Sequence, residues 1–155
     1  MKKGGNLQYG YKRHYLADAR DGLVLAVHTT AANAHDSQYL ATCLDKVNLP
    51  KGTRILADKG YSGQPNASLL HQRGYRNGIQ RKASAKHPLS LWERRYNQLI
   101  GKHRYKIERV FGSIQCWFGG LSARYIGLDK THGQHVLEAI AYNLYRLPGI
   151  IMSIA

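Results

Sequence analysis

The chain has 155 residues, 43% of them hydrophobic and 10% aromatic, which is the composition of one globular domain and not of a disordered tail. No apolar run reaches the ~18 residues of a membrane span, MKKGGNLQYG lacks the apolar stretch of a signal peptide, and two cysteines are too few for a disulfide framework. A cytoplasmic, reduced protein with no membrane partner is expected, and 23 Lys and Arg against 9 Asp and Glu give a net charge of +14 that favours nucleic acid.

The first eight residues are polar and Gly-rich and read as loosely held. Residues 9–17 (YGYKRHYLA) read as a Tyr-rich strand, Asp21-Gly22 as a hairpin turn, and 23–30 (LVLAVHTT) as a strand apolar enough to be buried on both faces. His35-Asp36 opens a loop and cap before a short helix near 37–46. After Pro50 and Gly52, residues 53–57 (TRILA) predict a short strand running into Asp58-Lys59-Gly60-Tyr61. A helix near 65–73 stops at Gly74, 77–82 (NGIQRK) is a short strand, and 83–88 is a polar loop. From about Leu89 to Phe118, apolar residues recur every three or four positions until Gly119-Gly120. A last helix near 133–147 is expected to bury Val136, Ala139, Ile140, Asn143, Leu144 and Leu147, and to stop at Pro148. The order is that of a mixed α/β domain over residues 9–155.

The charge is concentrated. Between Arg73 and Arg109 there are eleven Lys or Arg and two acids, Glu93 and Glu108, so this stretch carries +9 of the +14. Arg94, Arg95, Lys102 and Lys106 read as phosphate contacts, whereas Trp92 and Tyr96, on the apolar stripe, read as core. Against that background two acids are conspicuous. Asp58 ends an apolar strand, where α/β sheets bind ligands, although Asp before Gly is most often a turn residue. Glu108 lies four residues after Arg104, which by itself describes an ordinary helical ion pair. Taken together, carboxylates in a cationic setting can hold Mg²⁺, and a pair of such ions serves phosphoryl transfer. His132 and His135 are spaced i,i+3 with nothing to complete a zinc set, and Cys43 reads as core.

Six boxes in order resemble the C-terminal catalytic portion of DDE transposases from bacterial insertion sequences. They are Tyr9-Gly10-Tyr11-Lys12-Arg13-His14; Gly22-Leu23-Val24 with Thr30-Ala31-Ala32-Asn33-Ala34-His35-Asp36; Ala57-Asp58-Lys59-Gly60-Tyr61; Arg104 to Gly112 (RYKIERVFG); Ala123 to Leu128 (ARYIGL); and Ala141-Tyr142-Asn143-Leu144. The resemblance implies an RNase H-like mixed sheet with flanking helices, and DNA cleavage and strand transfer with Mg²⁺ or Mn²⁺. It implies that Asp58 and Glu108 are the second and third catalytic acids and metal ligands. It also implies that Arg104 contacts the transposon end, and it places Arg109 in the same basic motif. Gly101 and Gln115 stand where the family usually has Tyr and a Lys or Arg.

The family's first catalytic Asp lies on a central strand upstream of the YGYK box, and no residue of MKKGGNLQ replaces it. Asp18 sits in the first turn, outside the boxes. The expectation is therefore a truncated or split transposase fragment, inactive alone and nucleoid-associated. Its partners are DNA (transposon ends and target) and an upstream fragment carrying the first Asp; unpaired strand edges would promote self-association. The alternatives are an inactive remnant that only binds DNA, and a ribosomal or RNA-binding basic protein.

Overall fold

The computed structural model describes residues 2–3, 6–7, 10–84 and 87–153. The loosely held start and the polar loop of 83–88 therefore fall partly outside the described residues, as does Tyr9. Two compact units divide the chain: Met1–Ala34 with Ile107–Ala155, and His35–Lys106. Among the described residues the strands form three separate two-stranded sheets. The mixed α/β composition agrees with the sequence reading, in which the central strand is missing and its neighbours keep unpaired edges. No described strand hydrogen-bonds one pair to another, whereas the expected sheet relies on a central strand to join them.

In the first unit β1 (Lys2–Lys3) pairs antiparallel with β2 (Asn6–Leu7). β3 (Tyr11–Ala17) pairs antiparallel with β4 (Val24–Ala31), from Tyr11↔Ala31 to Ala17↔Val24. The turn between them is built by Asp18, whose Oδ1 accepts from the N–H groups of Arg20 (2.6 Å) and Asp21 (2.9 Å). Gly22 closes it with φ +74°, a conformation that favours glycine. Asp18 is thus a turn residue. β4 is mostly buried as expected, except that Leu25 and the last residue, Ala31, are exposed.

The second unit holds a short 3₁₀ turn, Asp36–Tyr39, capped by His35, and α1 (Leu40–Leu44). β5 (Arg54–Ala57) pairs in parallel with β6 (Arg76–Ile79), from Arg54↔Arg76 to Ala57↔Ile79. α2 (Gln64–Gln72) is the crossover, ending at Gly74 with φ +71°. Leu40, Cys43, Leu44, Ile55, Leu70, Ile79 and Ile100 make its core. Burial raises the Cys43 thiol to about 11, so it packs as an inert hydrophobe.

α3 (Leu91–Trp117) gives its first part to the second unit and its last part to the first. Ile100, Val110 and Ile114 are buried as the periodicity predicts. Trp92 is not: it is 63% exposed and stacks on Tyr96 (5.4 Å between centroids), while the Tyr96 hydroxyl donates to the Asn77 carbonyl at 3.0 Å. The stripe rule fails for Trp92 because it lies in the helix's first turn, where its main partner is the neighbouring ring.

α4 (Leu128–Met152) starts earlier than expected and runs through Pro148. Proline removes one N–H, and the carbonyl it would have served belongs to Leu144, which is 62% exposed and can bond water instead. The buried face also differs. Thr131, Gln134, His135, Glu138, Ala139 and Tyr142 face inward, while Ile140, Leu144 and Leu147 are exposed. The reason lies in what α4 packs against, because β3 and β4 present polar groups that need partners. Arg13 Nη1 donates to Glu138 Oε2 at 2.7 Å. The Thr29 hydroxyl bonds His135 Nδ1 (2.8 Å) and His132 Nδ1 (3.1 Å). Asn143 clamps Val24, accepting from its N–H at 2.9 Å and donating to its carbonyl at 2.8 Å. Apolar closure comes from Val24, Val27, Val110, Ile114, Ala139 and Tyr142.

Burial, helped by the charges of Arg13 and His132, pushes His135 from its ordinary value near 6.5 down to about 4. The folded state thus prefers the neutral ring. Its stabilisation is complete above pH ~6.5 and is lost as pH falls from there toward about 4, by up to ~3 kcal/mol. Melting the protein at pH 7 and pH 4.5 should show a loss that is smaller in His135→Gln, which keeps an acceptor for Thr29. Equal losses in the two proteins would remove His135 as the titrating group.

Candidate functional site

Asp58 owes its position to β5. Ile55 is buried and anchors the strand, the parallel ladder ends at Ala57↔Ile79, and the next residue leaves the sheet at its carboxyl edge. Asp58 then caps a 3₁₀ turn, Lys59–Tyr61, its Oδ1 accepting from the Gly60 N–H at 2.5 Å. A Cβ on residue 60 would stand 3.2 Å from that oxygen, so glycine allows the close approach. Arg104 Nη1 donates to Oδ2 at 2.8 Å. Both carboxylate oxygens are therefore held, one by the backbone and one by a guanidinium, yet the side chain stays 43% exposed.

The turn is itself braced. The buried Asn66 amide donates to the carbonyls of Tyr61 (2.8 Å) and Ser37 (3.0 Å). Burial drives the Tyr61 hydroxyl well above its ordinary range, with the charges of Asp36, Cys43 and Asp58 adding to the effect. Tyr61 thus stays a neutral packing group beside the carboxylate.

The other residues singled out by the sequence all lie on α3. Arg94, Arg95, Lys102 and Arg109 are exposed, and Lys106 is half-buried. Arg94 also donates through Nε to the Leu89 carbonyl at 3.2 Å. Arg104 is engaged with Asp58 and is not simply presented to solvent. Glu108 is exposed and belongs to the first unit, while Asp58 belongs to the second. Among the described residues no three of His, Cys, Asp and Glu gather as a metal-holding group. The donor chemistry of Asp58, a half-exposed carboxylate at a strand end, suits a hard divalent ion.

A second feature at the same edge was not picked out from the sequence. Beside the Asp58 turn, a cleft of about 300 Å³ is lined by Gln64, Asn77, Gln80, Arg81, Lys82 and Glu93, among others. The signal was available: Gln80, Arg81 and Lys82 leave the end of the NGIQRK strand as Asp58 leaves the end of TRILA, and the strand-end rule applies to both. No helix among the described residues is long and apolar enough to cross a membrane.

The family profile described as "Transposase DDE domain" matches residues 1–144. A transposase for insertion sequence element IS1106 from Neisseria meningitidis serogroup B is 38% identical over 146 residues, covering 94% of this chain and 50% of that protein. The chain therefore spans about half the length of this curated relative. No solved structure matches. The profile match runs through the Asp58 and Glu108 boxes alike, and the chain belongs to the transposase DDE-domain family.

Proposed function

We propose that these residues form the part of an insertion-sequence transposase that carries its second and third catalytic acids. The observation that carries this reading is Asp58, seated at the carboxyl edge of a parallel strand pair with each carboxylate oxygen held in place. Both units belong, in this reading, to one RNase H-like domain over residues 9–155. The antiparallel pair β3–β4 and the parallel pair β5–β6 are the pairings such a sheet has on either side of its central strand. That strand, with the first acid, is supplied from outside these residues.

Asp58 and Glu108 hold a divalent ion, Mg²⁺ or Mn²⁺. Such an ion, when bound, supplies an activated water or 3′-hydroxyl and charge stabilisation of the leaving oxygen. The Gly60 N–H and the Asn66 brace fix the Asp58 carboxylate before the ion or DNA arrives. Arg104 balances the Asp58 charge and offers an incoming phosphate a cation beside it. Arg94, Arg95, Lys102, Lys106 and Arg109 hold the DNA backbone. The exposed row of Leu137, Ile140, Leu144 and Ile151 on α4 favours self-association, or cover by the rest of a longer chain.

The test is a cleavage assay on supercoiled plasmid carrying insertion-sequence ends. The chain alone should bind but not cut, and addition of the upstream part with its Asp should give Mg²⁺-dependent cutting. Asp58-dependent cutting by the chain alone would overturn the missing-acid reading. Binding gives a second measure. Affinity for duplex DNA should fall by orders of magnitude between ~50 and ~200 mM salt. Reversing Arg94, Arg95, Lys102 and Lys106 to Glu should flatten that slope by about one unit for each phosphate that is no longer neutralised. An unchanged slope would move the DNA face elsewhere.

A further inference from the structure

We infer that the cleft beside the Asp58 turn, between α2, the end of β6 and α3, binds one deoxynucleoside monophosphate unit, with Arg81 and Lys82 on its phosphate. This rests on the DNA reading above only for the source of the nucleotide.

Three observations carry it. The first is place and size. Every lining residue lies in the His35–Lys106 unit, at the carboxyl edge of the parallel pair β5–β6, where α/β sheets bind ligands. A volume of about 300 Å³ is at the small end of ligand pockets.

The second is preorganisation. The Arg81 guanidinium sits over the Tyr96 ring, 5.7 Å from its centroid, which restrains a side chain that is otherwise free to wander. Its backbone is clamped as well. The Asn97 side chain accepts from the Arg81 N–H at 2.7 Å and donates to the Arg81 carbonyl at 2.9 Å. Gln80 Nε2 donates to the Asn97 carbonyl at 3.2 Å. The segment that leaves β6 is thereby fixed on α3, and a fixed arginine loses less entropy when it binds a phosphate than a loose one.

The third is the mixture of groups. Two cations suit a phosphate, and no side chain from Gly63 caps the first turn of α2, which opens on the same cleft. Glu93 caps α3, its Oε2 accepting from the Ser90 N–H at 2.9 Å and the Ser90 hydroxyl at 3.0 Å, and it also lines the cleft, where a carboxylate does not suit a bare anion. A carboxylate with amides from Gln64, Asn77 and Gln80 instead suits the N–H groups and acceptors of a base edge. Ala67 and Ile79 supply apolar wall. A ligand that is anionic at one end and carries amino and carbonyl groups at the other fits this set better than phosphate alone.

The probe is dCMP, titrated into the ¹⁵N-labelled 155-residue chain without metal, with deoxycytidine and inorganic phosphate as separate arms. The dCMP-induced shifts should map to Gln64, Arg81, Lys82 and Glu93, and dCMP should bind at least ~10-fold more tightly than either fragment. Lys82→Ala should weaken dCMP about tenfold, Arg81→Ala by as much or more, and Arg20→Ala, in the first turn, not at all. Arg81→Ala also removes the stacking on Tyr96 and could loosen the fold. Lys82→Ala, which leaves that stacking in place, keeps the test sound in that case. A single-stranded trinucleotide that displaces dCMP where a blunt duplex does not identifies a strand end as the source. Failure of both to displace it identifies free nucleotide.

Shifts elsewhere, equal binding of phosphate and dCMP, or indifference to both substitutions would overturn the inference. Because nothing is cleaved, its failure is separate from that of the transposase reading. Binding of dCMP without plasmid cleavage in the reconstituted protein would sink the latter and leave the cleft standing.

Discussion

Asp58→Asn should abolish DNA cleavage by the protein complemented with its upstream part, lowering the rate by ~10³-fold or more while leaving the fold intact. The substitution keeps the shape and an oxygen to accept from the Gly60 N–H, so the turn at Lys59–Tyr61 survives. It removes the charge that pairs with Arg104 and that, in the proposed function, holds a divalent ion. The pair itself contributes little to folding. Its side chains are 24% and 43% exposed, and such pairs are worth ~0–1 kcal/mol. An ion's stabilisation of the developing charge is worth several kcal/mol, and each ~1.4 kcal/mol is a factor of ten in rate. The melting temperature should therefore move by a few degrees at most while cleavage disappears. Asp18→Asn gives the contrast, since its carboxylate serves the first turn and its loss should cost stability and not chemistry. Wild-type cleavage by the Asp58→Asn protein would remove Asp58 from the site.

Strands β3 to β6, the Asp21-Gly22 turn and the position of Asp58 were legible in the sequence because each depends on local signals: alternation, a turn glycine, an apolar run ending at an acid; β1 and β2, in the stretch read as loosely held, were not. The α4 boundary was not, because proline is read as a stop and its cost depends on whether the orphaned carbonyl reaches water, which is a tertiary fact. The buried face of α4 was misread for a related reason. Hydrophobicity picks out Ile140, Leu144 and Leu147, but Arg13 and Thr29 call for polar partners, and Glu138 and His135 supply them; Asn143, which clamps the Val24 backbone, was placed on that face. Polar-to-polar matching across elements leaves no periodic trace in a single segment. Asp58 with Arg104 lies between these cases. Each residue was picked out, yet the ion pair joins positions 46 apart, which spacing along one helix cannot reveal.

Glu138→Ala should be the most destabilising single change outside the apolar core, costing ~3–5 kcal/mol. The Arg13 and Glu138 side chains are only 13% and 7% exposed, and they meet at 2.7 Å. Glu138 Oε1 also accepts from Gln134 Nε2 at 2.7 Å. Gln134 in turn donates to the Ser122 carbonyl at 3.0 Å and accepts from the Arg124 N–H at 2.8 Å, so the network holds the loop between α3 and α4 as well. The chain passes so close that a Cβ on Gly120 would stand 2.5 Å from Arg13 Nη1 and 2.7 Å from the Ile114 side chain, so a larger residue there would push the pair out of place. Removing Glu138 leaves a largely buried guanidinium without its carboxylate, and it frees the loop. At ~2–4 °C per kcal/mol for a chain of this size, the melting temperature should fall by roughly 10 °C. The same physics predicts that Arg13→Met with Glu138→Leu recovers most of the loss. Desolvating two charges is expensive, and an apolar pair of similar volume avoids that cost. Denaturant titration of the two single variants and the double variant measures the coupling directly. A Glu138→Ala cost below ~1 kcal/mol would mean that Arg13 finds water in the folded protein, and the network would then be a surface feature and not what orders the polar face of α4.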